Sequence, residues 1–208
     1  MLTHEVTNRD GPRSKRKMIL DAAIENFGEV GFEHTKWATI SSRVGIGQTA
    51  LYHYFESKSH CLLTIMRMEL DTSLEAFRNA TADAPDAETA LRAAVASAYQ
   101  NVSAQDALQR RILQNHMVML TSPRHSEKEE IERRLSRELV REIEDGWSAV
   151  VQRGIDEGSF VKSDPRVTAG LLLALVVSVW RWYRPDGGLS LSEITDVVTD
   201  ACLRIVRA

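Results

Sequence analysis

Gln48, Thr49 and Ala50, followed by Tyr52 and His53, are the residues whose types and spacing best suit recognition chemistry. A glutamine amide holds a donor and an acceptor side by side, which matches N6 and N7 of adenine in a DNA major groove. The methyls of Thr49 and Ala50 suit a thymine methyl, and Gly47 stands at the same helix start. Tyr52 and His53 can reach backbone phosphates. Lys58, at the start of a further helix, adds a charge to that helix's N-terminal dipole. Thr35 or Lys36 can do likewise, and Arg13, Lys15, Arg16 and Lys17 form a basic arm for the backbone or the minor groove. Structural alternatives stand beside these roles. Tyr54 and Phe55 suit a core, His53 can be merely exposed, and the run 13–17 can be a solvated cluster.

The elements that must position these side chains are legible from Ile40 to Lys58. Ile40 and Val44 lie four apart, on one helical face. Ser41 is small enough for another helix to approach, and Gly45 admits the positive φ of a sharp turn. Leu51 and Phe55 then resume the helical period. A small residue, a glycine four later and an apolar residue six beyond it form the helix-turn-helix layout, with its second helix in a major groove. The string Gly45-Ile46-Gly47-Gln48-Thr49-Ala50 also fits GxGxxA, but a dinucleotide site needs a preceding strand, and helical patterning precedes it here.

With 208 residues, 43% hydrophobic and 26% charged, the chain is globular and long enough for one large or two small domains. Net charge is −3, which excludes a nucleic-acid coat. Residues 1–60 carry eight basic and seven acidic residues, so a slightly basic head precedes an acidic body. Cys61 and Cys202 fall in helical patterns and read as buried thiols in a reducing cytosol. The N-terminus lacks the apolar core of a signal peptide, and the apolar run Ala169 to Trp180 is too short to span a bilayer. The expectation is a soluble cytoplasmic protein without a membrane segment.

Along the chain, Ser14 is expected to open a helix to about Gly28 with Ile19, Ala22, Ala23, Phe27 and Val30 as its stripe, and Gly31 to stop it. Thr35 starts a helix 37–44, and the recognition helix covers about 48–55. Ser57 caps a helix to about 79 with Leu62, Ile65, Met66, Leu70, Leu74 and Phe77 inward. The segment 80–85 is the break. Asp86 caps a helix to about 102, and Ser103 with Asp106 opens one to about 120. A helix over about 126–156 has Ile131, Leu135, Leu139, Ile143, Trp147 and Val151 inward and a solvated Glu/Arg face. Asp164-Pro165 starts a helix to Tyr183 that is apolar nearly all round, which implies burial against a partner subunit. Ser190 with Glu193 caps the last helix, about 191–206.

Thr35, Ile40, Val44-Gly45-Ile46, Leu51-Tyr52-His53-Tyr54-Phe55 and Lys58 together make the chain resemble the TetR family of bacterial transcriptional regulators. The specific match covers about residues 15–60. Gly47, Thr49, Trp37 and Ala38-Thr39 depart from the usual pattern and bear on fine docking. The resemblance implies an all-α fold: a three-helix helix-turn-helix head, 1–56, and a helical ligand-binding and dimerisation body, 57–208. It implies a homodimeric repressor on palindromic double-stranded DNA, released by a small-molecule effector. Alternatives are a DNA-anchored scaffold regulated by a protein partner, or a helical enzyme or carrier with a vestigial head.

Enzyme motifs are missing: there is no HExxH, GxSxG, P-loop or Glu-x-x-His pair, and no His pair at helical spacing for a metal. No cofactor or metal is expected. Met66, Leu70, Tyr99, His116, Met117, Trp147, Val177 and Trp180 are candidates for an apolar effector pocket, with ordinary core packing as the alternative for each. The segment from Trp180 to Ser190 resembles the penultimate helix end of TetR members that respond to acyl-CoA thioesters. That resemblance implies that an arginine there, Arg184, meets the CoA phosphates. The alternative is that Arg184 caps carbonyls while the tryptophans pack a dimer interface.

Overall fold

The computed structural model describes residues 11–122 and 126–207. Among them every regular element is helical: α1 (Pro12–Glu29), α2 (Trp37–Val44), α3 (Gln48–Tyr54), α4 (Lys58–Thr81), α5 (Ala87–Ser97), α6 (Ala104–His116), a 3-10 turn (Met117–Leu120), α7 (Glu127–Asp156), α8 (Pro165–Trp182) and α9 (Leu191–Val206). The chain divides into two compact units, Met1–Leu62 and Leu63–Ala208, so the division falls inside α4, later than the 56/57 boundary expected from the sequence. The polar segment expected over 1–13 lies outside the described residues as far as residue 10.

In the first unit α1 packs on α2 and α2 on α3. Ile19, Ala23, Phe27, Ile40, Leu51 and Phe55 are at most 3% exposed and form its core. Two expectations for α1 are corrected. It opens at Pro12 with Gly11 as cap residue, because proline at the first position forfeits no helical bond. Val30 is 55% exposed, because it lies past the last helical turn, just before the left-handed Gly31 (φ 97°). α2 spans the expected 37–44, with Lys36 and not Thr35 as its cap residue.

In the second unit α7 packs on α8, α5 on α7 and α9, and α6 and α9 on α8. Helix starts follow the sequence signals. Asp86 accepts from Thr89 N–H, Ser126 from Glu129 N–H, and Asp164 from the N–H groups of Arg166 and Val167. Ser103 with Asp106 and Ser190 with Glu193 close reciprocal capping boxes. Each such cap contributes about 1 kcal/mol to its helix. Helix ends differ more. α5 stops at Ser97, short of 102, because Tyr99 drops into the core, where its hydroxyl donates to Val176 O at 2.6 Å, and Asn101 takes a left-handed φ of 53°. α6 stops at His116 and tightens into the 3-10 turn.

The inward face of α7 is the largest correction. Ile143, Trp147 and Val151 are buried, but Ile131 is 42% exposed. In the first half of the helix the buried residues are Glu129, Glu132, Arg133 and Ser136, not a solvated Glu/Arg face. The 3-10 turn leaves carbonyls that need donors. Arg133 Nε donates to Met119 O at 3.0 Å and Arg137 to Leu120 O at 2.8 Å. Glu129 pairs with Arg133 at 3.1 Å and Glu132 with Arg67 of α4 at 2.5 Å, which compensates the buried charges.

α8 is covered on one side only. Leu172, Val176, Val179 and Trp180 are buried, whereas Val167 is 61%, Leu171 58% and Trp182 54% exposed. Val197 of α9 is 68% exposed. No described helix is long and apolar enough to cross a membrane.

Candidate nucleic-acid interface and effector cavity

The turn between α2 and α3 is set by Gly45, which holds φ 68° and ends α2 in the left-handed conformation. Ile46 N–H donates to Ser41 O at 3.0 Å and closes the helix end. α3 then has two faces. Leu51 is fully buried and anchors the helix, while Gly47, Gln48, Thr49, Tyr52 and His53 are exposed and Ala50 is half-buried. Tyr54 is half-buried and Phe55 fully buried, in keeping with core roles. The exposed face thus gathers an amide, a hydroxyl with its methyl, a phenol and an imidazole on seven residues of helix. Lys36 is exposed at the start of α2.

Three other predicted contacts are placed differently. Thr35 is buried, and its hydroxyl donates to Gly31 O at 2.8 Å and Asn26 O at 3.2 Å, so it fastens the α1–α2 turn instead of offering itself to phosphate. Lys58 is half-buried, with Nζ donating to Phe32 O at 2.6 Å and Thr35 O at 3.0 Å and lying 4.3 Å from the centre of the Phe32 ring. The 13–17 run is the first turns of α1, not an extended arm. Arg16 stacks 4.9 Å above the Phe55 ring and Lys17 pairs with Asp21 at 2.6 Å, while Lys15 is half-buried.

The second unit holds a cavity of about 180 Å³ walled by Leu70, Phe77, Met117, Trp147, Val177 and Trp180 among others. Of the candidate pocket residues, Leu70, Met117, Trp147, Val177 and Trp180 line it. Met66 is fully buried core, Tyr99 is fixed by its bond to Val176 O, and His116 and Arg184 are not among the lining residues. Sequence reasoning missed the polar lining: Glu69, Ser73, Ser97, Arg110, Gln114 and Glu144. The detectable signal was the helical spacing of Glu69, which puts it on the same face of α4 as Leu70, Ser73 and Phe77.

Glu69 is 2% exposed and pairs with Arg110 at 3.0 Å. Burial raises its carboxyl pKa, and the Arg110 charge and the Ser73 hydroxyl oppose that rise. Arg110 also donates to Ala98 O and stacks 4.9 Å from the Trp180 ring. Beyond the cavity, Arg111 and Arg184 both donate to Tyr183 O at 2.9 Å. Burial, then the Arg184 charge, lowers the Arg111 pKa, and Arg111 Nε is buried with no hydrogen-bond partner. Arg181 reaches Gln114 O at 3.5 Å, beside the cavity. Both cysteines are buried and free, and burial pushes Cys202 up to about 11. Among the described residues no group of His, Cys, Asp and Glu is placed to hold a metal.

Residues 19–65 match the family of bacterial regulatory proteins of the tetR type, and residues 84–206 match the tetracyclin repressor-like C-terminal domain. The transcriptional repressor KstR2 of Rhodococcus jostii RHA1 is 30% identical over 195 residues, covering 88% of this chain and 87% of that protein. The chain belongs to the TetR family. As a TetR regulator it shares its fold with KstR2 of Mycobacterium tuberculosis, a ketosteroid transcriptional regulator (TM-score 0.78, 21% identity, 96% of this chain and 98% of that one). It also shares it with AibR, solved with isovaleryl coenzyme A and operator DNA (TM-score 0.74, 20% identity, 90% and 97%). Its head is therefore a DNA-binding domain, and the relatives it matches are transcriptional regulators, not enzymes.

Proposed function

We propose that this TetR regulator is a homodimeric repressor that binds a palindromic operator through α3 and releases it when an acyl-CoA thioester enters the body. The carrying observation is the two-faced α3, with Leu51 anchored in the core and Gln48, Thr49, Tyr52 and His53 outward. In this reading Gln48 reads a base edge, Thr49 and Ala50 touch methyls, and Tyr52, His53 and Lys36 position the helix on phosphates. Gly47 lets the backbone come close, and Lys15 and Arg16 lend charge at the start of α1. Thr35 and Lys58 hold the shape of the head. The repressor role is supported by the likeness to KstR2 of Rhodococcus jostii, named a transcriptional repressor.

The uncovered side of α8 supports the dimer. Val167, Leu171 and Trp182, with Val197 of α9, expose more large apolar groups than an unpartnered surface favours. Two copies give two reading heads, and hence a two-fold symmetric site. For the effector, the cavity slightly exceeds the ~150 Å³ that admits a benzene-sized guest. It suits a short or single-ring acyl group, with the nucleotide outside. Arg111, Arg181 and Arg184 near the end of α8 suit phosphates there. Release follows if the effector binds tighter to a conformer whose heads no longer fit the operator.

Fluorescence anisotropy of a promoter fragment with the full-length protein tests this. Isovaleryl coenzyme A and other short or single-ring acyl-CoAs are expected to release the DNA, and free fatty acids and aromatic cations to leave it bound. Release by cations alone overturns the anionic-effector reading. Ultracentrifugation at micromolar concentration is expected to give twice the chain mass of 23.4 kDa, and a clean monomer overturns the dimer.

A further inference from the structure

Among the polar groups of the cavity wall, the buried Glu69 carboxylate is one that a plain hydrocarbon guest would leave unused. Glu69 is 2% exposed, on the cavity side of α4. Its Oε1 accepts twice, from Ser73 Oγ at 2.9 Å and from Arg110 Nε at 3.0 Å, while no bond reaches Oε2 among the described residues. Oε2 is nevertheless not among the fully enclosed polar atoms that lack a partner, so it borders open space, and the open space beside Glu69 is the cavity. A buried carboxylate oxygen with no donor is costly unless a guest or water supplies one.

The two donors that reach Glu69 are already committed to other bonds or to Oε1. Arg110 divides its guanidinium between Glu69, Ala98 O and the Trp180 face. Ser73 spends its single hydroxyl proton on Oε1. The Glu69–Arg110 pair is neutral as a unit, so it does not call for a charged guest. Burial disfavours the charged carboxyl and raises its pKa, but a guanidinium bonded at 3.0 Å offsets that cost and pairs with the carboxylate form, which accepts and cannot donate.

We propose that Glu69 is a specificity-determining residue of this cavity, and that the apolar part of the effector carries a hydroxyl group whose proton Oε2 accepts. This deepens the effector reading above and rests on the cavity being the effector site. The walls set size, and Glu69 selects an alcohol over a ketone or bare hydrocarbon of the same shape. A site built to bond a hydroxyl rejects the analogue that lacks it more strongly than an apolar pocket rejects a small change of size.

Cyclohexanol and cyclohexanone test this without assuming a thioester. They match in size, one donates and the other only accepts. Trp147 and Trp180 line the cavity, so intrinsic fluorescence of the full-length protein reports either guest. Cyclohexanol is expected to bind at least tenfold more tightly than cyclohexanone, a ratio set by a hydrogen bond to a charged acceptor. Glu69→Gln is expected to abolish or invert that ratio while cyclohexanone still binds. Equal binding of the two guests, tighter binding of the ketone, or no binding of either to the wild type overturns the proposal. If Glu69→Gln does not fold, the wild-type ratio decides alone. DNA release by acyl-CoAs is a separate readout: if no thioester releases DNA yet the alcohol preference depends on Glu69, the thioester reading fails and this one stands.

Discussion

Lys58→Met separates a structural lysine from a phosphate-binding one. Methionine keeps an apolar stem beside the Phe32 ring and removes the ammonium. Lost with it are two hydrogen bonds, to Phe32 O at 2.6 Å and Thr35 O at 3.0 Å, and a cation–π contact at 4.3 Å. Bonds from a charged donor contribute about 1.5–3 kcal/mol each when buried. Lys58 is only half-buried and water can replace it at the carbonyls, so about 1 kcal/mol per bond is the appropriate scale. The cation–π contact adds about 0.5–1 kcal/mol. The head is therefore expected to lose about 2–3 kcal/mol, with its α1–α2 amides exchanging roughly 30-fold faster or more by hydrogen-exchange mass spectrometry. DNA affinity is expected to fall through this loosening, with little change in the slope of log Kd against log salt. A lysine that neutralised a phosphate would instead remove about 0.9 from that slope per head. Unchanged exchange together with a flatter slope refutes the structural assignment of Lys58.

Other outcomes follow from the same geometry. Gln48→Ala is expected to relax preference at one base position per half-site by roughly 1–3 kcal/mol, read by competition with single-base operator variants; equal losses at every position would mean that Gln48 reads no base. Gly45→Ala forces a Cβ into φ 68° and is expected to destabilise the head by about 1–2 kcal/mol in urea unfolding, although nothing crowds the position. Gly154→Ala is expected to cost about 1–3 kcal/mol or more, because its methyl overlaps the buried Phe160 ring near its attachment point, and a melting temperature equal to wild type would contradict that packing. Burial favours the neutral Cys202 thiol, so its contribution to stability is full below the ordinary thiol range and lost as pH rises through about 11. Alkylation at pH 8 is correspondingly expected to spare Cys202 in the folded protein and label it in urea.

The sequence by itself determined the elements with local causes. Gly45 marks the turn because only its backbone takes a left-handed φ cheaply. Asp86, Ser103, Ser126, Asp164 and Ser190 mark helix starts because each oxygen reaches an N–H two or three residues on. The outward set on α3 followed from the period that buries Leu51 and Phe55. What only the tertiary structure decided are the meetings of distant residues. Thr35 and Lys58 looked like phosphate contacts, but the chain folds carbonyls of the α1–α2 turn onto them, and a donor within reach of a buried acceptor is taken up. Arg133 and Glu129 looked solvated because charges at helical spacing usually are, yet the 3-10 turn after α6 placed unpaired carbonyls against that face. The cavity is the sharpest case. Leu70, Met117, Trp147, Val177 and Trp180 were legible as apolar residues, but Glu69 and Arg110 lie far apart in sequence. Their juxtaposition, and the free oxygen it leaves, exists only once α4, α6 and α8 have closed around the same space.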